Sequence, residues 1–196
     1  VEKYLLYYNY LLLGGIILSP NQAFFLTVIG CLLAISSSYF IVRLNMLKPT
    51  LKQNFLDQYP DTDDQAYKVQ QSMKQAYFNA SFYKQAVPLT SWLVLLFFLS
   101  IGGCLTALYL DALNIAIRLL GSAFIFIAFL YLKLPTFQAQ HTFWKSYLQA
   151  HPENELKVVI LPLDSPIQQR RIALLTKFKC CTLVAGLILF YASLFL

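Results

Sequence analysis

The chain has 196 residues, 58% of them hydrophobic and 12% charged, a charged fraction about half that of an ordinary soluble domain. That balance excludes a soluble globular protein and a disordered one, and it predicts an integral membrane protein. The formal net charge of +6 does not point to nucleic acid, because the basic residues are sorted along the chain instead of gathered into one patch.

Five apolar runs carry the excess, at residues 4–18, 23–42, 91–110, 113–132 and 180–196. The middle three reach the roughly 20 residues that a helix needs to cross hydrocarbon. The first and last are shorter, and span only if the bilayer thins or flanking residues reach to the interface. The expected fold is all-α: five transmembrane helices as two antiparallel hairpins plus a C-terminal helix, with two helical cytoplasmic segments. Four spans is the alternative.

In chain order, Tyr4, Tyr7, Tyr8 and Tyr10 anchor the first run at headgroup depth. With no small-residue cleavage site, that run is expected to stay as a span. Gly14-Gly15 permits close helix approach, and Ser19-Pro20-Asn21 reads as a tight turn returning the second run beside the first. Gly30, Ala34 and Ser38 set a small-residue packing seam along the second run.

Next come Leu47-Lys48-Pro49-Thr50 and Phe55-Leu56-Asp57-Gln58-Tyr59-Pro60-Asp61-Thr62-Asp63. A similar series follows the fourth run: Leu132-Lys133-Leu134-Pro135-Thr136, then Tyr147-Leu148-Gln149-Ala150-His151-Pro152-Glu153-Asn154-Glu155. The echo suggests two related units, with chance likeness as its rival. The chain divides accordingly into residues 1–90 and 91–171, each a hairpin with a polar segment, and a C-terminal span at 172–196.

Ala66, Val69, Met73, Ala76, Ala80, Tyr83 and Val87 recur every three or four residues and predict an amphipathic helix. Asp61, Thr62, Asp63 and Asp64 supply its cap and the carboxylates favoured at its positive end. The apolar stripe is expected to lie on the inner leaflet or against the other polar segment. Pro88 ends this helix, and Gly102-Gly103 allows close packing in the third run. Residues 157–161 read as a short strand. Ser165-Pro166-Ile167-Gln168 marks a helix start, from which a helix is predicted to run unbroken through Arg170, Arg171, Lys177 and Lys179 into the last span.

Every Lys and Arg except Arg118 precedes the first run or lies in the two long polar segments, while the short linkers around Pro20 and Asp111 hold none. The positive-inside rule then places the N-terminus and both polar segments in the cytoplasm and the C-terminus outside, with a bacterial inner membrane as the expected location.

No catalytic, cofactor or metal-binding motif is present. Asp61, Asp63, Asp64, Glu153 and Glu155 can be drawn together as oxygen ligands only if the two units pair, and helix capping explains them without an ion. His141 and His151 read as surface histidines. Cys31, Cys104, Cys180 and Cys181 do not form a disulfide framework, and the adjacent pair at the inner boundary offers a lipidation position. Asp111, Asn114 and Arg118 are spaced three and four apart at the outer end of the fourth run, a polar stripe suited to a headgroup phosphate or a partner's carboxylate.

The function expected from these features is that of a non-catalytic integral membrane subunit, whose partners are the lipid bilayer and other membrane proteins. A small lipid or solute transporter, with a cavity lined by Asn9, Ser36, Ser37 or Asn114, is the alternative. An enzyme acting on lipid, using the acidic clusters and histidines, stands third.

Overall fold

The structure, a computed structural model, describes residues 18–82 and 87–196. The tyrosines of the first apolar run, Asn9, Gly14-Gly15 and Tyr83 lie outside the described residues. Among the described residues seven helices follow in order: α1 (Pro20–Asn45), α2 (Lys48–Leu56), α3 (Asp64–Phe82), α4 (Val87–Tyr109), α5 (Leu113–Lys133), α6 (Phe137–Ala150) and α7 (Pro166–Ala192). Among the described residues four stretches are long and apolar enough to cross a membrane: Pro20–Leu56, Thr90–Tyr109, Leu113–Ala150 and Pro166–Ala192. They cover the second to fifth apolar runs.

The last run lies within a longer helix. It forms the second half of α7, whose 27 residues reach about 40 Å at the helical rise. Ser165 caps this helix by accepting from the Gln168 N–H at 3.4 Å, and Pro166 takes the first turn where no amide partner is needed. The same four-residue signature opens α1. Ser19 Oγ accepts from the Gln22 N–H at 3.3 Å and Gln22 Oε1 accepts from the Ser19 N–H at 2.9 Å, a reciprocal capping box where the sequence suggested only a turn.

α1 packs on α7, α7 on α5 and α5 on α4, each pair antiparallel. The matched positions are Gly30 with Leu189 and Ser37 with Thr182, Gly121 with Phe190 and Tyr131 with Phe178, and Gly103 with Leu119. The C-terminal helix is therefore interior to the row, and it buries Phe178, Thr182, Ala185, Gly186, Leu189 and Ala192.

On α1 the buried line is Ala23, Gly30 and Ser37, whereas Ser38 of the expected seam is exposed. Seven-residue spacing keeps one line on an antiparallel partner, and a strict four-residue spacing drifts off it. Ser37 Oγ and Thr182 Oγ1 meet at 2.5 Å in this buried seam, so each hydroxyl has a partner.

The two echoed segments agree at their ends. Tyr59 N–H donates to Phe55 O at 3.0 Å and His151 N–H to Tyr147 O at 2.9 Å; three residues on, Thr62 N–H reaches Tyr59 O at 3.2 Å and Asn154 N–H reaches His151 O at 3.0 Å. The rings of Phe55 and Tyr59 stand 5.1 Å apart, those of Tyr147 and His151 4.4 Å. Upstream they differ: Pro49 sits in the first turn of α2, which follows α1 after a two-residue turn, while Leu134 is extended and Thr136 caps α6. The ends also touch, through Asn154 Nδ2 donating to Tyr59 Oη at 2.9 Å.

The expected strand is absent. Among the described residues no strand forms, and residues 158–161 carry no regular secondary structure. The β-branched Val158, Val159 and Ile160 suit a strand, but no second strand is there to complete a ladder. Asn154 holds the segment instead, accepting from the Val158 N–H at 2.8 Å.

Candidate functional site

The three polar residues expected at the outer end do not form one stripe. Asp111 lies before α5 in a left-handed conformation, φ 54°, so the helical register does not extend to it. Asn114 turns back to accept from the Ile115 N–H at 2.8 Å. Arg118 reaches the C-terminus of α7, its Nε donating to Ser193 Oγ at 3.4 Å and its Nη2 to Ser193 O at 3.3 Å. A guanidinium there satisfies an end carbonyl and sits at the negative end of the α7 dipole. Arg118→Ala should destabilise the protein by about 2 kcal/mol and Arg118→Lys by about half that, since an ammonium keeps the charge without the fork. Thermal scans in mild detergent check this ranking; an alanine variant equal to wild type would overturn it.

At the basic end, α2, α3 and α6 pack beside the start of α7. The face α3 turns inward is not the expected apolar stripe: Val69, Met73, Ala76 and Ala80 are exposed, and Phe78 is buried with Tyr67, Gln70, Gln71 and Lys74 partly covered. Val87 belongs to α4. Aromatic packing explains which face turns toward the other polar segment, because large rings bury more area than Val or Ala. Tyr67 meets Phe55 of α2 at 5.2 Å, and Phe78 meets Phe143 of α6 at 4.9 Å.

This arrangement forms a half-open cavity of about 470 Å³ between α2, α3, α6, residues 158–161 and the first turns of α7. Two cations line it. Lys74 Nζ stands 4.9 Å from the Phe55 ring centre, and burial pushes its pKa down to about 8. Arg171 lies 4.7 Å over the Phe137 ring, with Nη1 donating to Gln168 Oε1 at 2.9 Å. His141 and Trp144 complete the polar and aromatic wall.

Among the described residues no Asp or Glu lines the cavity. The acids near α3 are engaged elsewhere: Asp63 accepts from the Ala66 N–H at 2.6 Å, Asp57 accepts from Gln53 at 2.9 Å, and Asp64 pairs with Lys52. The Lys52 ammonium holds the Asp64 carboxyl below the usual carboxylate range. Among the described residues no group of His, Cys, Asp and Glu could hold a metal ion. Glu155 contributes its main-chain carbonyl to Gln70 at 3.1 Å, and His151 Nδ1 contacts the Tyr147 carbonyl at 3.1 Å. All four cysteines are free thiols, Cys104 buried against Ala107 and Ala116.

Sequence reasoning missed Lys74 and Arg171 as site residues. The available signal was spacing: Lys74 follows Tyr67 by seven residues and precedes Phe78 by four, which places it on the face of two aromatics.

The described residues thus define an all-helical protein with four helices able to span a membrane and a cation-lined cavity at their basic end. Compared with protein-family models, curated proteins and solved structures, the chain matches none.

Proposed function

We propose that the chain is a non-catalytic subunit of a larger membrane complex. Its basic layer of α2, α3 and α6 faces the cytoplasm of a bacterial-type inner membrane, and its C-terminus lies outside. The charge layout supports the orientation. The observation that carries the subunit reading is Gly102. Among the described residues nothing comes within 4 Å of a Cβ placed there, whereas Gly30, Gly103, Gly121 and Gly186 each meet a neighbouring helix. Glycine weakens a helix by about 1 kcal/mol relative to alanine, and within spans it marks close helix approach. α4 lies at one edge of the row, and Phe98, Leu99 and Leu105 around Gly102 are exposed. Thr106 Oγ1 folds back onto the Gly102 carbonyl at 3.0 Å, which leaves the strip smooth for another helix.

In mild detergent the chain is expected to elute with at least one further membrane protein at fixed ratio. Gly102→Leu should release that partner without lowering the thermal stability of the chain itself. A wild-type chain that is a folded, monodisperse monomer overturns the reading. So does a Gly102→Leu variant that is itself destabilised, because its own chain would then cover the strip.

The solute-path alternative has little support from the residues once expected to line it. Ser37 is closed by Thr182, Ser36 bonds back to Leu32 O at 2.9 Å, and Asn114 bonds to its neighbour. A lipid-handling role draws on the basic-end cavity instead.

A further inference from the structure

The geometry points to a binding site for a phosphate-monoester lipid in the cavity at the basic end, with its head held between Lys74 and Arg171 and its chain laid past Phe137 along α7. Two observations converge on it. Two cations from different helices face one cavity, and among the described residues no carboxylate lines it. Neither has an ion pair within the described residues; each rests on an aromatic face, and Arg171 spends one donor on Gln168. Removing a cation from water without an anion is unfavourable, so two together form an incomplete arrangement that a dianion would complete. A guanidinium takes two phosphate oxygens side by side, and an ammonium adds a third contact as a point charge.

The size and surroundings of the cavity specify more than a bare ion. A volume of about 470 Å³ falls in the range of sites for small organic molecules. Leu51, Leu134, Leu161 and Trp144 supply apolar wall, and His141 with Gln140 supplies further donors. A second hollow of about 250 Å³ shares Phe137 with the first and continues along Ile172, Leu175, Thr176 and Lys179 of α7. Those positions follow one helical face toward the apolar half of α7, the direction an acyl chain would take. Pro135 and Phe137 stand just past the end of α5, at the basic end of that span, so this opening adjoins its apolar stretch.

The test uses Trp144, which lines the cavity, as reporter. Trp92 is the only other tryptophan, and Trp92→Phe removes its background. The full chain carrying this change is placed in phosphatidylcholine nanodiscs with increasing dioleoyl phosphatidic acid. A saturable change in Trp144 emission is expected, absent with dioleoylglycerol and at least ten-fold weaker with oleate. Lys74→Gln and Arg171→Gln should each weaken binding at least ten-fold, with Lys74→Arg retaining most of it. Equal response to phosphatidic acid and dioleoylglycerol overturns the site, as does unchanged affinity in both glutamine variants. Equal response to oleate overturns the phosphate assignment. Glycerol 3-phosphate or inorganic phosphate displacing the lipid at the lipid's own concentration would mark a soluble phosphate ligand and overturn the lipid assignment. The ligand series on the unsubstituted cavity decides the matter even if a variant fails to fold.

Discussion

Gly121→Ala should be among the most damaging single-methyl additions in the protein, and Gly102→Ala should be nearly silent. A Cβ on Gly121 would stand 2.6 Å from the Phe190 main-chain nitrogen, 2.9 Å from the Gly186 carbonyl and 3.0 Å from the Phe190 Cα. All three are backbone atoms of α7, so no rotamer change relieves the contact. The helices must separate, and every neighbouring contact along α5 and α7 lengthens with them. Over-packing of this kind lies at the upper end of the usual range, about 3 kcal/mol. Gly186→Ala meets the Gly121 carbonyl and the Ile125 nitrogen, each at 2.9 Å, and should lose as much. At Gly30 the obstacle is the Leu189 side chain at 2.8 Å and not main chain, so the loss there should be smaller. Because one separation of the helices relieves both clashes, the Gly121→Ala, Gly186→Ala pair should cost clearly less than the sum of the singles. Thermal unfolding of the five glycine variants in one detergent checks the order. Gly121→Ala as stable as Gly102→Ala would mean that α5 and α7 do not meet this closely.

Four of the expected runs appear as long apolar helices because length and apolarity alone specify them, while the first run lies outside the described residues, and the start of α7 could be read from Ser165 and Pro166. The α1 start was equally readable, since Ser19-Pro20-Asn21-Gln22 repeats the spacing of Ser165-Pro166-Ile167-Gln168. Short apolar-to-apolar linkers draw the eye to the turn and hide the cap. What a single sequence could not supply is which surface an element packs against. The three-and-four stripe of α3 correctly marks an amphipathic helix, but amphipathicity says only which face is apolar. Tyr67 and Phe78 won the interior because Phe55 and Phe143 were waiting on other helices, and they drew Lys74 in with them. Its long apolar stem makes that burial tolerable. The cavity is therefore a product of pairing between distant segments, as is the contact of Ser37 with Thr182, 145 residues away.

Lys74 should make the empty protein more stable as pH rises, the reverse of what most salt-bridged lysines do. Burial lowers its pKa from the ordinary 10.5 to about 8. Below that value Lys74 is charged in both folded and unfolded chains, and the folded protein bears the full penalty of a desolvated cation. Between about 8 and 10.5 the folded protein has released the proton while the unfolded chain still holds it, so the unfolded state binds more protons and stability climbs with pH. Above 10.5 the relief is complete. The other ionisable side chains around the cavity are Tyr67 on α3, His141 on α6 and Arg171 on α7, while α2 and residues 158–161 contribute none. Comparing wild type with Lys74→Met isolates the one group. The methionine variant should be the more stable at pH 7, and the gap should close steadily toward pH 10.5. A phosphate-monoester lipid in the cavity should invert the comparison. Its charge favours protonated Lys74, so lipid should stabilise wild type most below pH 8, progressively less above it, and Lys74→Met little at any pH. Parallel melting curves for the two proteins across the whole range would show that Lys74 is solvated in the folded state, and both halves of this expectation would fall together.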